Sequence, residues 1–368
     1  MTMTTMPTDF YFSPDYATAR AKFLAACAIR ELPVQSHAQT VTGPAGEPLF
    51  TDVARIGPMN ARRLLVLTSG VHGPEMMAGS GCQTGYLLRG GASLPLPPDT
   101  AVLLIHAINP WGAAHLRRYT EHNVDLCRNY IDFDAPLPPG ALYAPLHVHA
   151  NVDPHDAGAL AAADAALDRY RAEHGSPALY SALMAGQYQH PDGLGFGGTF
   201  KNWSRVTMER ILAEHAAQAE HVTMIDYHTG LGSYSFGCVV ALQQGEALAR
   251  VRRVFGEWVV APLTPDREED FVPVTGHTTP GYEAILAHAD VTALVLEYGT
   301  YAPDRMLEIL LADHRHTLAK PEADHVSQPY RQAVLRFFYP EDTQWRRAVF
   351  ERSQHLIDQA LGDLGSRA

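Results

Sequence analysis

The sequence predicts an α/β fold with a mixed, mainly parallel sheet, and three observations carry that prediction. Short apolar runs recur at Leu64–Leu67, Ala101–His106, Thr223–His228, Cys238–Leu242 and Ala293–Glu297. They read as buried strands, being too short for helices and rich in branched side chains. Segments of helical spacing alternate with them, which is the pattern of a sheet covered by helices. Histidines and carboxylates then stand where apolar runs end: His72 and Glu75 after the first, and later His228 and Glu297. In open α/β sheets, ligands gather outside the carboxyl ends of strands.

Taken in order, Ser13 to Leu32 reads as a first helix, with Ser13-Pro14-Asp15 as its cap and N1 proline and Tyr16, Phe23, Leu24 and Cys27 on one face. Val41 to Gly57 reads as a hairpin turning at Gly43–Gly46. The Leu64 strand, a helix over about 77–88, a loop over 90–98 and the Ala101 strand follow. Residues 134–154, rich in Pro, Ala and His, read as a long irregular loop that covers or rims a site. Helical patterns span about 156–174 and 202–220, then 244–257. A Pro- and acid-rich loop covers 262–281, and helices at about 303–319, 326–338 and 343–363 end the chain. With neither internal repeat nor linker, residues 1–368 read as one domain, with a helix and hairpin over 1–60 and a helical addition over 302–368.

Composition narrows the function. Of 368 residues, 46% are hydrophobic and 18% charged, proportions that fill a sizeable core. The net charge of −12 and the lack of a Lys/Arg-rich run speak against a nucleic-acid surface. Cys27, Cys82, Cys127 and Cys238 lie far apart with no C-x-x-C pair, which fits a reduced compartment. Neither a signal peptide nor an apolar run of ~18 residues is present. A cytoplasmic protein with neither membrane nor nucleic acid as partner is expected.

Four segments can carry chemistry. His72-Gly-Pro-Glu75 offers an imidazole and a carboxylate that can converge on one cation, and zinc accepts both. Arg117, Arg118 and Arg128 supply cationic forks for a carboxylate or an oxyanion. Met224-Ile-Asp-Tyr-His228 and Leu294-Val-Leu-Glu297 end apolar strands in ionisable groups that are costly to bury unless paired or used. Surface turns and packing residues would account for any one of these segments alone, but not comfortably for all four in this order.

From residue 64 to about 300, the succession His-x-x-Glu, Asp-x-x-Arg, His, Glu resembles the zinc carboxypeptidase superfamily, most closely its bacterial subgroup of unknown function. The superfamily also contains the aspartoacylase and succinylglutamate desuccinylase deacylases. The resemblance implies a single three-layer α/β/α domain and one zinc ion per chain, held by His72, Glu75 and His228, with the fourth place left for water. It implies that Glu297 is the general base and that Asp125 orients His72 through its second nitrogen. Arg128 would bind a substrate carboxylate and Arg118 stabilise the oxyanion, with Arg117 the weaker choice. Tyr282 is a faint counterpart of the substrate-side tyrosine, equally readable as a packing residue. The chain departs from the family's Asp-x-Asn-Arg at Cys127, where a thiol cannot reproduce the hydrogen bonds of an amide to a carboxylate. Residue 127 therefore sits on the expected substrate side with altered chemistry.

Such a site hydrolyses amides. The metal makes water nucleophilic and polarises the carbonyl, the carboxylate moves a proton, and an arginine stabilises the oxyanion. The expected substrate is a small, carboxylate-bearing peptide, as for a carboxypeptidase; the alternative is an N-acyl amino acid, as for a deacylase. A non-catalytic ligand-binding protein on the same scaffold is the third reading. Gly193-Leu-Gly-Phe-Gly-Gly198 matches G-x-G-x-x-G in letters but follows no strand, so it reads as a loop of close backbone approach. His106, His115, His122, His147, His149 and His155 lack acidic partners at fixed spacing and are not read as a second metal site.

Overall fold

The computed structural model describes residues 6–89, 95–262, 274–319 and 324–367. Parts of the expected loops over 90–98 and 262–281 lie outside the described residues. Within them, one sheet is built from β1 (Val34–Thr42), β2 (Pro48–Ile56), β3 (Arg63–Ser69), β4 (Thr100–His106), β5 (His221–Tyr234), β6 (Gly237–Val240) and β7 (Asp290–Gly299). Its order is β1-β2-β4-β3-β5-β7-β6. The centre, β4-β3-β5-β7, is parallel, and antiparallel pairings of β1 with β2, β2 with β4 and β6 with β7 flank it. From β3 the chain goes to β4 on one side and later to β5 on the other. The β3/β5 crevice is therefore the switch point at which an α/β sheet opens a ligand site.

Helices α1 (Tyr16–Ile29), α2 (Met76–Leu88), α3 (Pro110–His115), α4 (His147–Ala150), α5 (Ala157–His174) and α6 (Ser176–Met184) are followed by α7 (Trp203–His215), α8 (Gly245–Phe255) and α9 (Thr278–Ile285). The chain closes with α10 (Pro303–Ala319), α11 (Asp324–Phe338) and α12 (Thr343–Ser366). Strand side chains alternate between faces, and the cores follow that alternation. Leu65 and Leu67, with Ile225, Tyr227, Leu294 and Leu296, pack under α1, α2 and α12. Leu64 and Val66, with Val222, Met224, Val291 and Ala293, pack under α7 and α9. Two such layers on one sheet make the three-layer α/β/α architecture.

Local chemistry explains the element ends. Asp15, rather than Ser13, caps α1 by accepting the Thr18 N–H at 2.8 Å, so Pro14 precedes the cap instead of opening the helix. The hairpin begins earlier than its apolar residues suggest, because half-exposed β1 alternates polar residues at the sheet edge. β5 runs on to Tyr234, past the expected end at His228. Part of the expected loop over 134–154 is helical, including α4, and α6 is an addition of nine residues, with Leu179, Ala182, Leu183 and Met184 buried, that the sequence reading did not include. Helix α2 is buried along its whole length, and Gly79 lets it approach the sheet: a Cβ there would stand 2.6 Å from Ser69 Cβ and 3.0 Å from Tyr227 Cβ. No helix among the described residues is long and apolar enough to cross a membrane.

Candidate metal centre

The centre forms just past the end of β3, beside His228 within β5 and Glu297 within β7. After Ser69 the chain turns through His72 into a short 3-10 turn, Gly73–Glu75, whose proline suits the first helical position. Helical spacing then brings Glu75 back toward His72, at 2.9 Å between Oε1 and Nδ1. On the next strand, His228 directs its own Nδ1 at Glu75 Oε2, 3.2 Å away. The two imidazoles lie edge to face with centroids 5.0 Å apart, and both are buried. In the parallel register His228 stands beside Glu297, which puts the expected base abreast of an expected ligand.

Each histidine turns its outer nitrogen toward an aspartate. Asp125 Oδ1 lies 3.2 Å from His72 Nε2, as the resemblance implies. His228 Nε2 faces Asp226 Oδ2 at 3.3 Å, and that same oxygen accepts the Thr278 hydroxyl at 3.0 Å. Asp226 was absent from the expected site. Its signal was legible: an acid two residues before His228 shares its face of the strand and is buried in an apolar run. Glu75 Oε2 also accepts the Thr229 N–H at 2.9 Å, and Arg118 donates to Oε1 at 3.2 Å.

The charges explain the titration of the group. Burial and Arg118 push His72 down, but Glu75, Cys127 and Asp125 outweigh them and hold it up to about 10. Burial works against the Glu75 and Asp125 carboxylates, yet His72 and His228 around the first, and Arg118 and His72 around the second, keep both well below the usual range. Glu297 behaves oppositely. Burial and the neighbouring Glu75 push it up to about 7, against the pull of His228 and the Leu231 N–H, which it accepts at 3.0 Å. Glu75, Asp125, Asp226 and Glu297 thus crowd around two imidazoles, and the site draws positive charge inward. Nδ1 of both histidines faces one carboxylate while carboxylates hold the outer nitrogens, which is the donor set and outer support that a zinc-type cation requires. The residues fit such an ion.

The remaining expected residues divide. Arg118 joins the centre, its Nε 3.6 Å from Asp125, whereas Arg117 turns away to Asp313 at 3.4 Å. Arg128 lies nearby, but its Nε and Nη2 donate to Met184 O and its Nη1 to Cys127 O. Tyr282 is fully buried, edge-on to Tyr130 with centroids 5.4 Å apart, which is a packing position rather than a substrate-facing one. Cys127 brings its sulfur to the two histidines: Sγ and a ring nitrogen of each of His72 and His228 all lie within 4.8 Å of one another. Burial would raise this thiol, but His277, His72 and His228 pull it well below its ordinary value. Two further residues went unread in the sequence. His277 borders Cys127 while its Nδ1 faces the Thr279 N–H at the start of α9, and Tyr180 on α6 lies in the field of Arg118, Arg128 and Glu297. Both come from segments without a strand-end signal.

The glycine-rich stretch supports the site from behind. Phe196 O accepts the Asp125 N–H at 2.7 Å, and Gly197 O accepts from Asn129 Nδ2 at 2.7 Å. Of the histidines outside the centre, His106 is buried against Ser80 and stacked on Phe23, a structural position. His147 stacks on His190 at 4.0 Å, with Nε2 3.6 Å from Asp192.

A family model described as a protein of unknown function (DUF2817) matches residues 12–352. Among solved structures, the chain is similar to carboxypeptidase A from Helicoverpa armigera, at 12% identity over 91% of this chain and 76% of that one, with a TM-score of 0.46. It is similar to murein-tripeptide amidase from Escherichia coli O157, at 12% identity over 78% and 91%, TM-score 0.39. It is also similar to succinylglutamate desuccinylase from Chromobacterium violaceum, at 15% identity over 85% and 76%, TM-score 0.34. No match was found among curated proteins.

Proposed function

We propose that this chain, which belongs to the DUF2817 family, is a metal-dependent hydrolase of amide bonds in small, carboxylate-bearing substrates. The observation that carries the reading is the convergence of His72, Glu75 and His228 beside Glu297, each histidine supported by its own aspartate. His72, Glu75 and His228 would hold one zinc ion. Bound there, the ion would polarise the scissile carbonyl and make water acidic enough to react near neutral pH.

The chain's own residues do the rest. Glu297, titrating near neutrality, takes a proton from the attacking water and returns it to the leaving amine. General acid–base help of this kind is worth typically about 10²–10⁴-fold. Arg118, fixed by Glu75 and Asp125, keeps a permanent positive charge beside the centre, where it meets the oxyanion. Arg128 retains guanidinium hydrogens beyond those given to Met184 and Cys127 and serves as the carboxylate anchor of either a peptide or an N-acyl amino acid.

Metal analysis of the purified protein tests the reading, paired with His72→Ala. About one zinc per chain, lost in a folded variant, is expected. With that met, hydrolysis of short peptides or N-acyl amino acids should fall at least 10²-fold in Glu297→Gln. A protein that retains no zinc and shows no hydrolysis for Glu297→Gln to remove would instead be the non-catalytic binder.

A further inference from the structure

Of the histidines left without acidic partners along the chain, His147 acquires one in space. It stacks on His190 with ring centroids 4.0 Å apart, and its Nε2 lies 3.6 Å from Asp192 Oδ1. One ring nitrogen from each histidine and one Asp192 oxygen all lie within 4.8 Å of one another. The two histidines are half-buried and Asp192 is exposed, so solvent reaches the trio. Each member is held from outside. His147 Nδ1 lies 3.3 Å from the Tyr143 hydroxyl, whose oxygen also accepts the Leu194 N–H at 3.0 Å. Asn151 Nδ2 donates to Asp192 Oδ2 at 2.9 Å and to Asp192 O at 2.8 Å, while Asn151 Oδ1 faces His314 Nε2 at 3.0 Å. The buried Gln187 clasps the backbone of His190, accepting its N–H and donating to its O, both at 2.8 Å.

We propose that His147, His190 and Asp192 form a second metal site, which shares no residue with the His72 centre and takes one zinc-type divalent ion, with water completing its sphere. Nitrogen and oxygen donors around tetrahedral zinc stand roughly 3.3 Å apart. His147 and Asp192 are already at 3.6 Å. The 4.8 Å limit on the trio leaves at most about 1.5 Å to close elsewhere, within the reach of side-chain rotation at a solvent-bordered site. An ion on His147 Nε2 leaves the ring proton on Nδ1, where the Tyr143 oxygen accepts it. Asp192 keeps Oδ2 on Asn151 and offers Oδ1 to the ion. Outer partners of this kind orient metal-bound histidines and carboxylates. Two imidazoles and one carboxylate select Zn²⁺ over Mg²⁺ and Ca²⁺, which take oxygen. The ion would join α4 to the 186–198 loop. That loop is tied to the catalytic centre, because Asn123 Nδ2 donates to Pro191 O and Gly193 O, and Phe196 O accepts the N–H of Asp125. Zinc at this site therefore braces, from outside, the turn that orients His72. With three protein donors and open to water, it fills on addition of zinc, after the buried centre.

Equilibrium dialysis of the full-length protein against micromolar zinc, with bound metal counted by atomic emission, tests this without using activity. Wild-type protein is expected to take up a second equivalent beyond the one retained on purification, and excess Mg²⁺ should not displace it. In His190→Ala and Asp192→Asn, checked for folding by circular dichroism, the second step should weaken at least roughly tenfold while the first is unchanged. His72→Ala should do the converse, losing the first equivalent and keeping the second. Uptake that is the same in both folded variants as in the wild type overturns the proposal, whatever the His72 centre binds. Displacement of the added equivalent by Mg²⁺ overturns it as well. Zinc that persists in His72→Ala and is lost when His190→Ala is added supports it, even where purified wild-type protein retains no metal and the hydrolytic reading falls.

Discussion

Replacing Glu297 by Gln in chelator-treated protein should change how stability depends on pH. Burial and Glu75 raise the carboxyl from its ordinary 4.5 to about 7. Between those values the folded chain keeps a proton that the unfolded chain has released, so stability falls as pH rises through the window. At about 1.4 kcal/mol per tenfold in the proton equilibrium, the ceiling is about 3 kcal/mol. Glu297 is only half-buried, and solvent screening brings the expected effect to about 1–3 kcal/mol. Gln keeps an oxygen for the Leu231 N–H and carries no charge, so the variant should gain on the wild type from pH 4.5 to 8 and hold its advantage above. His72, raised to about 10, adds a decline above pH 6.5 in both proteins, which the difference removes. Urea unfolding followed by fluorescence, at half-unit pH steps with excess chelator, gives both curves. Parallel curves would refute the reasoning, because they would mean that Glu297 titrates as an ordinary surface carboxylate.

Other expectations follow from single contacts. Asp226→Asn should leave the fold intact and weaken zinc binding about 10–100-fold, measured by competition with a chromogenic chelator, because it frees His228 Nε2 from its carboxylate. Gly73→Ala should destabilise by about 1–3 kcal/mol or more in denaturant titrations, since its Cβ would stand 2.0 Å from Gly112 C and 2.1 Å from Gly112 O. Arg128→Lys should lower stability in the absence of any substrate by about 1–3 kcal/mol, as Met184 O and Cys127 O lose their planar donors. Unchanged unfolding would mean that Arg128 serves substrate alone.

Much of this protein is written locally. The apolar runs at Leu64, Ala101, Thr223 and Ala293 specify the parallel centre, because only a strand covered on both faces is uniformly apolar. The ionisable residues that follow those runs single out His72, Glu75, His228 and Glu297 as candidates, since a group that is expensive to bury at such a place calls for a partner or a use. Local sequence falls short where a residue's partner comes from another segment. Asp226 matters because register and Thr278 point it at His228, and Tyr180 because α6 folds over the arginines. Arg117 and Arg118 are adjacent letters, yet one turns to Asp313 on α10 and the other to Glu75. Tyr282 and Cys127 exchange emphasis for the same reason: α9 buries the tyrosine in the core, and the Asp125 turn carries the sulfur to the histidines. The sequence determined which strands exist and which residues at their ends are ionisable, because burial and periodicity are properties of a segment. Only the tertiary structure decided which of them share one centre, because distance between side chains depends on register, crossovers and packing among segments far apart in the chain.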